Sequence, residues 1–446
     1  MSAIIQAFKD PDLRKKIIFT ILMVIAYRIG AQIPSPGVDY ASIAGRLRDL
    51  TEESGDLYSV INLFSGGALL QLSIFAIGIM PYITSSIIVQ LLTVVIPHFE
   101  QLKKEGQSGQ TKMTQYTRYL TVALALLQSS GIVALADRKQ LLGQGIEVLQ
   151  EDRNIFTLVM LVLTMTSGAI LVMWMGELIT EKGIGNGMSL LIFAGIATRL
   201  PTDGVKIFQD HGGLVFALVL AGMIILITGI TFIEQGQRRI PVQYAKRMVG
   251  RRQYGGTSTY LPLKVNQAGV IPVIFASSLI YMPVLITQIV TSSRGGQGGD
   301  NWWQRNVISW LQSPSSWQYI LLFFVLTIFF AYFYTSVQYD PAEQADNMKR
   351  YGGFIPGIRP GRPTAEYLGY VMNRLLFVGA AYLGVIAILP NLLLDLGIGG
   401  SRGGGAGGGM TAFGGTAILI MVSVALTTVK QIESQLLQSN YEGLLK

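Results

Sequence analysis

Cysteine is absent from this 446-residue chain, which removes disulfides and thiolate chemistry. Histidine occurs only at His98 and His211, both in segments that read as loops, so an imidazole-based metal cluster is not expected and no metal ligand is assigned. Charge is scarce too: 13% of residues are Asp, Glu, Lys or Arg, against about 25% in a soluble domain. Half the residues are hydrophobic, so lipid rather than water is the implied solvent. The apolar stretches hold no Ser-His, Ser-Lys or paired-Asp constellation, which argues against an intramembrane hydrolase. No catalytic residue and no cofactor are assigned. Ion-coupled carriers keep ionisable groups within the bilayer despite their cost. Here only Arg28, Glu234 and Arg374 come close, each near a span end, where snorkelling to the interface accounts for them.

What is present is a succession of apolar stretches, each close to the roughly 20 residues that one crossing needs. They read as 17–34, 72–96, 117–136, 155–176, 185–200, 214–234, 267–290, 317–338, 370–391 and 412–429. Ten crossings put both termini on one side. With the termini inside, 23 of the 34 Lys and Arg fall on the inner face, the bias expected of cytoplasmic loops. The first stretch follows Lys9, Arg14, Lys15 and Lys16 as a secretory leader would, but it lacks an Ala-x-Ala-like cleavage site and reads as a retained span. The chain is therefore expected to be an all-helical, multi-pass membrane protein.

Two places break the pattern. Leu57 to Phe99 carries no charged residue, twice the length of one crossing, and the break is expected at Asn62-Leu63-Phe64-Ser65-Gly66-Gly67-Ala68, where paired glycines weaken a helix. That segment is either a re-entrant piece sheltered inside the protein, as the bilayer demands of non-helical backbone, or a loop at the outer interface. The second is Glu181-Lys182-Gly183-Ile184-Gly185-Asn186-Gly187, ahead of a span of barely sixteen residues. Spans two and seven share a pattern: Pro81-Tyr82-Ile83 followed by Ser85-Ser86, and Pro272-Val273-Ile274 followed by Ser277-Ser278. This suggests two five-span halves of inverted topology, residues 1–200 and 201–446. Uncharged polarity marks the same spans, with Gln90 in one, Ser277 and Ser278 in the other and Asn266 just before it.

Several motifs in order, NLFSGGAL (62–69), GIMPYI (78–83), QLLTVV (90–95), GIGNGMSL (183–190), PLKVNQAGVIPVIFASS (262–278), FIPGIRPG (354–361) and GGTAILI (414–420), closely resemble the SecY family. The resemblance runs from about residue 10 to Asn440-Tyr441-Glu442. The loops near 40–57, 137–154 and 291–316 and the glycine run 399–409 match poorly.

The resemblance implies a protein-conducting channel subunit of the bacterial plasma membrane, with cytoplasmic termini. It would pass unfolded secretory chains through an hourglass pore between the two halves and release transmembrane segments sideways between spans two and seven. A pore ring is implied at Ile79, Ile83, Met188, Ile192, Ile274 and Ile420. A plug is implied at about 60–71, with Asn62, Leu63, Phe64, Ser65, Gly66, Gly67, Ala68 and Leu69 at its heart. Gln90, Asn266, Ser277 and Ser278 are expected to set the gate's threshold by bonding across it. Docking loops are implied at about 235–266 and 339–369, with Arg251, Arg252 and Arg359 as contacts for the ribosome and the motor ATPase SecA. Small membrane subunits, SecE and SecG, are the other implied partners. A secondary transporter for a small polar solute is the alternative, since its broken helices would look similar.

Overall fold

The structure, a computed structural model, describes residues 8, 10–38, 65–69, 71–137, 154–244, 247–249, 252–254, 258–293, 309–311, 316–395 and 415–444. Its architecture follows from helix signals in the chain. Helix α1 (Pro11–Gln32) opens on Asp10, whose carboxylate accepts from the Asp12 amide at 3.1 Å, with Pro11 in the first turn. Helix α2 (Met80–Val95) likewise opens on a proline, Pro81. It gives way at Pro97 to α3 (Pro97–Lys104), which bends away by 99°. Then come α4 (Gln107–Asp137), α5 (Ile155–Lys182) and α6 (Gly187–Gln235).

At 49 residues α6 is about 74 Å long if straight, too long for one crossing. Gly212, at φ 81° and ψ 171°, breaks it into two rods. The rest comprises α7 (Ile271–Ser293), the short α8 (Ser309–Leu311), α9 (Trp317–Gln338), α10 (Pro341–Arg350), α11 (Arg362–Asp395) and α12 (Gly415–Leu444). Among the described residues, with α6 counted twice, ten long rods answer to the ten spans read from the sequence. Among the described residues five stretches, Ile155–Lys182, Gly212–Gln235, Trp317–Arg350, Arg362–Leu389 and Gly415–Gln438, are long and apolar enough on their own to cross a membrane, and the bent α2–α3 pair makes a sixth.

The spans differ from the sequence reading at their ends. Span two starts at Met80 rather than 72, because Leu72 (φ 42°) and Gly78 (φ 60°) hold left-handed backbone that a helix cannot include. Residues 72–74 instead pair with the end of α1: the Ser35 amide donates to Leu72 O and the Ile74 amide to Ile33 O, both at 3.0 Å. Helices α4, α11 and α12 run past the apolar stretches into charged residues, since helix need not stop where lipid does. His98 lies in α3 and His211 in α6 beside its break, not in loops.

A small sheet was not foreseen in an otherwise helical chain. Strand β1 (Gln237–Tyr244) pairs antiparallel with β4 (Ser258–Lys264), from Gln237↔Lys264 to Gln243↔Ser258. Its other edge takes β5 (Gly353–Phe354), giving the order β4-β1-β5, and β2 (Arg247–Val249) with β3 (Arg252–Tyr254) forms a separate ribbon. Alternation explains the sheet: Ile240 and Val242 are buried while Arg238, Arg239, Pro241 and Gln243 are exposed. Ile240 and Leu263 pack with Ile355, Leu368, Val371 and Met372, which fastens the hairpin to the start of α11.

The main core is one apolar cluster fed by nearly every long helix. Outward faces are apolar as well, as at Ile21, Leu22, Ile25 and Ile29 of α1 and Leu218, Ile225 and Phe232 of α6, the composition a lipid-facing surface requires. Close packing relies on small residues in places. A Cβ on Gly168 of α5 would overlap the backbone carbonyl of Ile74. The variant Gly168→Val is therefore expected to lose about 1–3 kcal/mol of stability. The check is the thermal unfolding midpoint in detergent; an unmoved midpoint would mean that the Ile74 segment can step aside.

Candidate functional site

Helical spacing sets out the apolar residues singled out by the motifs. Ile79 caps α2 and Ile83 lies one turn further, so both share a face. Met188 and Ile192 repeat that spacing at the start of α6, whose Asn186 cap accepts from the Met188 amide at 3.1 Å and the Ser189 amide at 3.4 Å. Ile274 lies in the first turn of α7 and Ile420 in the second turn of α12. The five isoleucines, between 1% and 7% exposed, belong to the same continuous apolar cluster. Met188 is half-buried and packs against that cluster, its thioether lying over Gly176 of α5, where a Cβ would approach Sδ to 2.5 Å.

Of the glycine-rich segment, Asn62, Leu63 and Phe64 lie outside the described residues. Ser65, Gly66, Gly67, Ala68 and Leu69 form a tight turn. The Ser65 hydroxyl accepts from the Leu69 amide at 3.2 Å, and the Ser73 amide donates to Ala68 O at 3.1 Å. The turn is buried rather than spread on a surface: Ser65, Ala68 and Leu69 are each 3% exposed or less. Arg28 of α1 donates from Nη1 to Gly66 O at 3.1 Å, and the Tyr27 hydroxyl reaches Ser65 O at 3.5 Å. The turn is folded inward against α1, and it draws the Arg28 guanidinium onto the Gly66 carbonyl.

The uncharged polar residues do not behave as expected. Helix α7 lies against both α2 and α4, yet none of the four side chains has a hydrogen bond from α2 to α7. Gln90 donates to Ser86 at 3.4 Å and Ser277 to Ile274 O at 2.9 Å, each on its own helix. Ser278 is buried with no hydrogen-bond partner. Asn266 donates to Glu234 Oε1 at 2.6 Å and Gly269 O at 3.1 Å, which ties the approach to α7 back to α6. The reason is local: a hydroxyl or short amide on a helix finds an acceptor one turn away more readily than across a gap. Bonding across the α2–α7 seam is thus corrected to bonding within each side of it.

Of the basic residues, Arg251 lies outside the described residues, and Arg252 is described only as backbone in β3. Arg359 is exposed in the loop between β5 and α11, its carbonyl accepting from Thr364 Oγ1 at 2.9 Å. The β1–β5 pairing joins the two segments that the sequence presents as separate loops. Two contacts were not anticipated. Arg118 of α4 holds Glu177 of α5 in a two-pronged ion pair, at 3.0 and 2.7 Å. Lys103 of α3 donates to Val337 O at 2.6 Å, placing a cation at the end of α9, whose own last turn has none. Among the described residues, no group of three or more His, Asp or Glu could hold a metal ion.

The family model for SecY matches residues 73–429. The chain is 80% identical to the protein translocase subunit SecY of Corynebacterium glutamicum, with both chains covered in full. Among solved structures it is similar to a SecY protein whose plug domain is described as stabilising the closed state and maintaining a membrane seal, at TM-score 0.61 and 17% identity over 94% of this chain and 91% of that one. It is likewise similar to Sec61 in a canine ribosome–channel complex, at TM-score 0.60 and 16% identity over the same shares.

The hydrogen-bond pattern separates two polar residues. Asn266→Leu strips the half-buried Glu234 carboxyl of one donor and is expected to cost about 1–3 kcal/mol, whereas Ser278→Ala removes an unpaired buried hydroxyl and is expected to be neutral or mildly stabilising. Side-by-side thermal unfolding decides between them, and equal losses in both variants would contradict the assignment.

Proposed function

Because the chain belongs to the SecY family, we propose that it works as the protein-conducting channel subunit of a translocase, a conduit and not an enzyme. The observation that carries its working parts is the burial of Ile79, Ile83, Ile192, Ile274 and Ile420 in one apolar cluster. Two of their helices, α2 and α6, begin before residue 200 and two, α7 and α12, after it, which supports residues 1–200 and 201–446 as the two halves of the pore. Apolar side chains meeting at a waist exclude water and ions, yet they can part around an extended polypeptide because no fixed polar geometry must be broken. Met188 completes the proposed ring from the rim of the cluster.

The proposed plug is the buried turn at Ser65–Leu69, within about 60–71. The proposed lateral gate is the seam where α7 meets α2 and α4. Since the polar groups flanking it bond within their own side, packing rather than hydrogen bonding holds the seam. A segment of twenty Leu-like residues gains roughly 6–12 kcal/mol on entering lipid, so a seam closed by a few kcal/mol admits apolar segments and retains polar ones. Unfolded secretory chains pass through; membrane segments leave sideways.

In this reading the chain sits in the bacterial plasma membrane with both termini cytoplasmic, which the Lys and Arg bias supports. The hairpin and α10 appendage then faces the cytoplasm with Arg238, Arg239, Lys349, Arg350 and Arg359 exposed, a surface suited to RNA phosphate or acidic protein. The ribosome and SecA are the proposed partners there, and SecE and SecG in the membrane. Charge reversal at Arg251, Arg252 and Arg359 together is expected to weaken ribosome and SecA binding in sedimentation assays by tenfold or more, about 1.4 kcal/mol; undiminished binding would move docking elsewhere.

The conduit itself is tested by crosslinking. A photoreactive residue at position 83 or 274 is expected to capture a secretory precursor stalled in transit, whereas one on the lipid face of α1, such as position 22, should not. No capture at either inner position would remove the translocation path from this waist.

A further inference from the structure

We propose that Arg28 is the positioning residue that seats the plug, an inference that rests on reading the Ser65–Leu69 turn as that plug. Arg28 lies in α1, four residues before its end, where a guanidinium could extend to the interface. It turns inward instead, and Nη1 donates to Gly66 O at 3.1 Å. A charged donor on a backbone carbonyl is stronger than a neutral pair.

Sterics point to the same seat independently. Gly66 has φ 66°, a left-handed conformation that favours glycine. The place its Cβ would take is filled from both sides, by Arg28 Nη1 at 2.6 Å and by the Gly195 Cα of α6 at 2.9 Å. The turn is therefore clasped between α1 and α6, and only a residue without a side chain fits. Tyr27, one residue before, reinforces the seat: its hydroxyl reaches Ser65 O and its ring stacks on Phe75, with centroids 5.9 Å apart.

Arg199 of α6 is a second buried guanidinium. It lies within electrostatic reach of both Arg28 and Asp203, and its Nη1 is buried without a hydrogen-bond partner. Gly66 O supplies a negative dipole to the Arg28 guanidinium. If the turn leaves, Arg28 loses that acceptor, so the seated state is favoured whenever no polypeptide occupies the path.

The test uses the full chain in membrane vesicles from cells that carry each variant as their own copy, with resting potassium leak and export of an ordinary precursor as readouts. Arg28→Met is expected to raise the leak about tenfold, the shift typical of a lost charged hydrogen bond, while ordinary export continues. Arg28→Lys, which keeps the charge and a donor, should restore most of the seal. Gly66→Ala, which leaves Arg28 intact but fills the seat, should leak as well and tests the seat itself, while Arg28→Gln, which keeps a donor but loses the charge, should leak between wild type and Arg28→Met and carries the test of Arg28 should Arg28→Met fail to accumulate. Deleting residues 60–71 should leak too, and adding Arg28→Met to that deletion should change nothing further. A tight Arg28→Met membrane, or a leak that adds to that of the deletion, overturns the role of Arg28. A tight membrane after the deletion alone overturns the plug reading itself.

Discussion

In hydrocarbon no water is available to hydrogen-bond a stray amide or carbonyl, and this constraint governs the rest of the molecule. Most of the chain meets it with helix. The described stretch between α1 and α2 cannot, because left-handed backbone at Gly66, Gly67, Leu72 and Gly78 keeps residues 65–69 and 71–79 from joining α2. It meets the constraint by folding inward: Ile33 O and Leu72 O accept amides across a short bridge between 33–35 and 72–74, while Ser65 O and Gly66 O accept from Tyr27 and Arg28. Irregular backbone is thereby carried into the middle of the protein, where a passage can be opened or closed without exposing polar groups to lipid.

The same constraint explains the polar side chains. A serine or threonine on a helix can donate to a carbonyl of its own preceding turn, as Thr84, Ser85, Thr121 and Ser277 do. Once bonded at home, such a group contributes little cohesion between helices. Cohesion along the α7 seam then falls to apolar packing, which yields reversibly. Fixed polar links lie within the bundle on either side of the seam, in the Arg118–Glu177 pair between α4 and α5 and the Glu234–Asn266 bond at the approach to α7. Exposed pairs of this kind add little to stability, so Arg118, itself half-exposed, serves to hold two helices in register more than to hold the fold together.

At one end of the bundle the chain leaves the membrane pattern altogether. The β1–β4 hairpin alternates buried and exposed residues, packs its apolar side on the start of α11, and takes β5 on its free edge. Two basic segments far apart in sequence are thereby brought together beside the start of α11.

The helical spans and their order were legible in the sequence because the bilayer imposes a length and a composition on every crossing. The glycine-rich break and the motif-bearing isoleucines could be read as well, since glycine pairs and motifs are local. Span ends were read poorly: α4, α11 and α12 continue into charged turns, and α2 starts late, because helix limits depend on backbone conformation rather than hydropathy. Only the tertiary structure decided where polar side chains find partners. Gln90, Ser277 and Asn266 looked like bridges across a seam, and geometry sent each to a nearer acceptor. Arg28 looked like a residue reaching for the interface, and the fold brought a carbonyl from 38 positions along the chain within 3.1 Å of it. Hydropathy sums over a segment and survives any folding of it, whereas a hydrogen bond exists only once two segments have been placed.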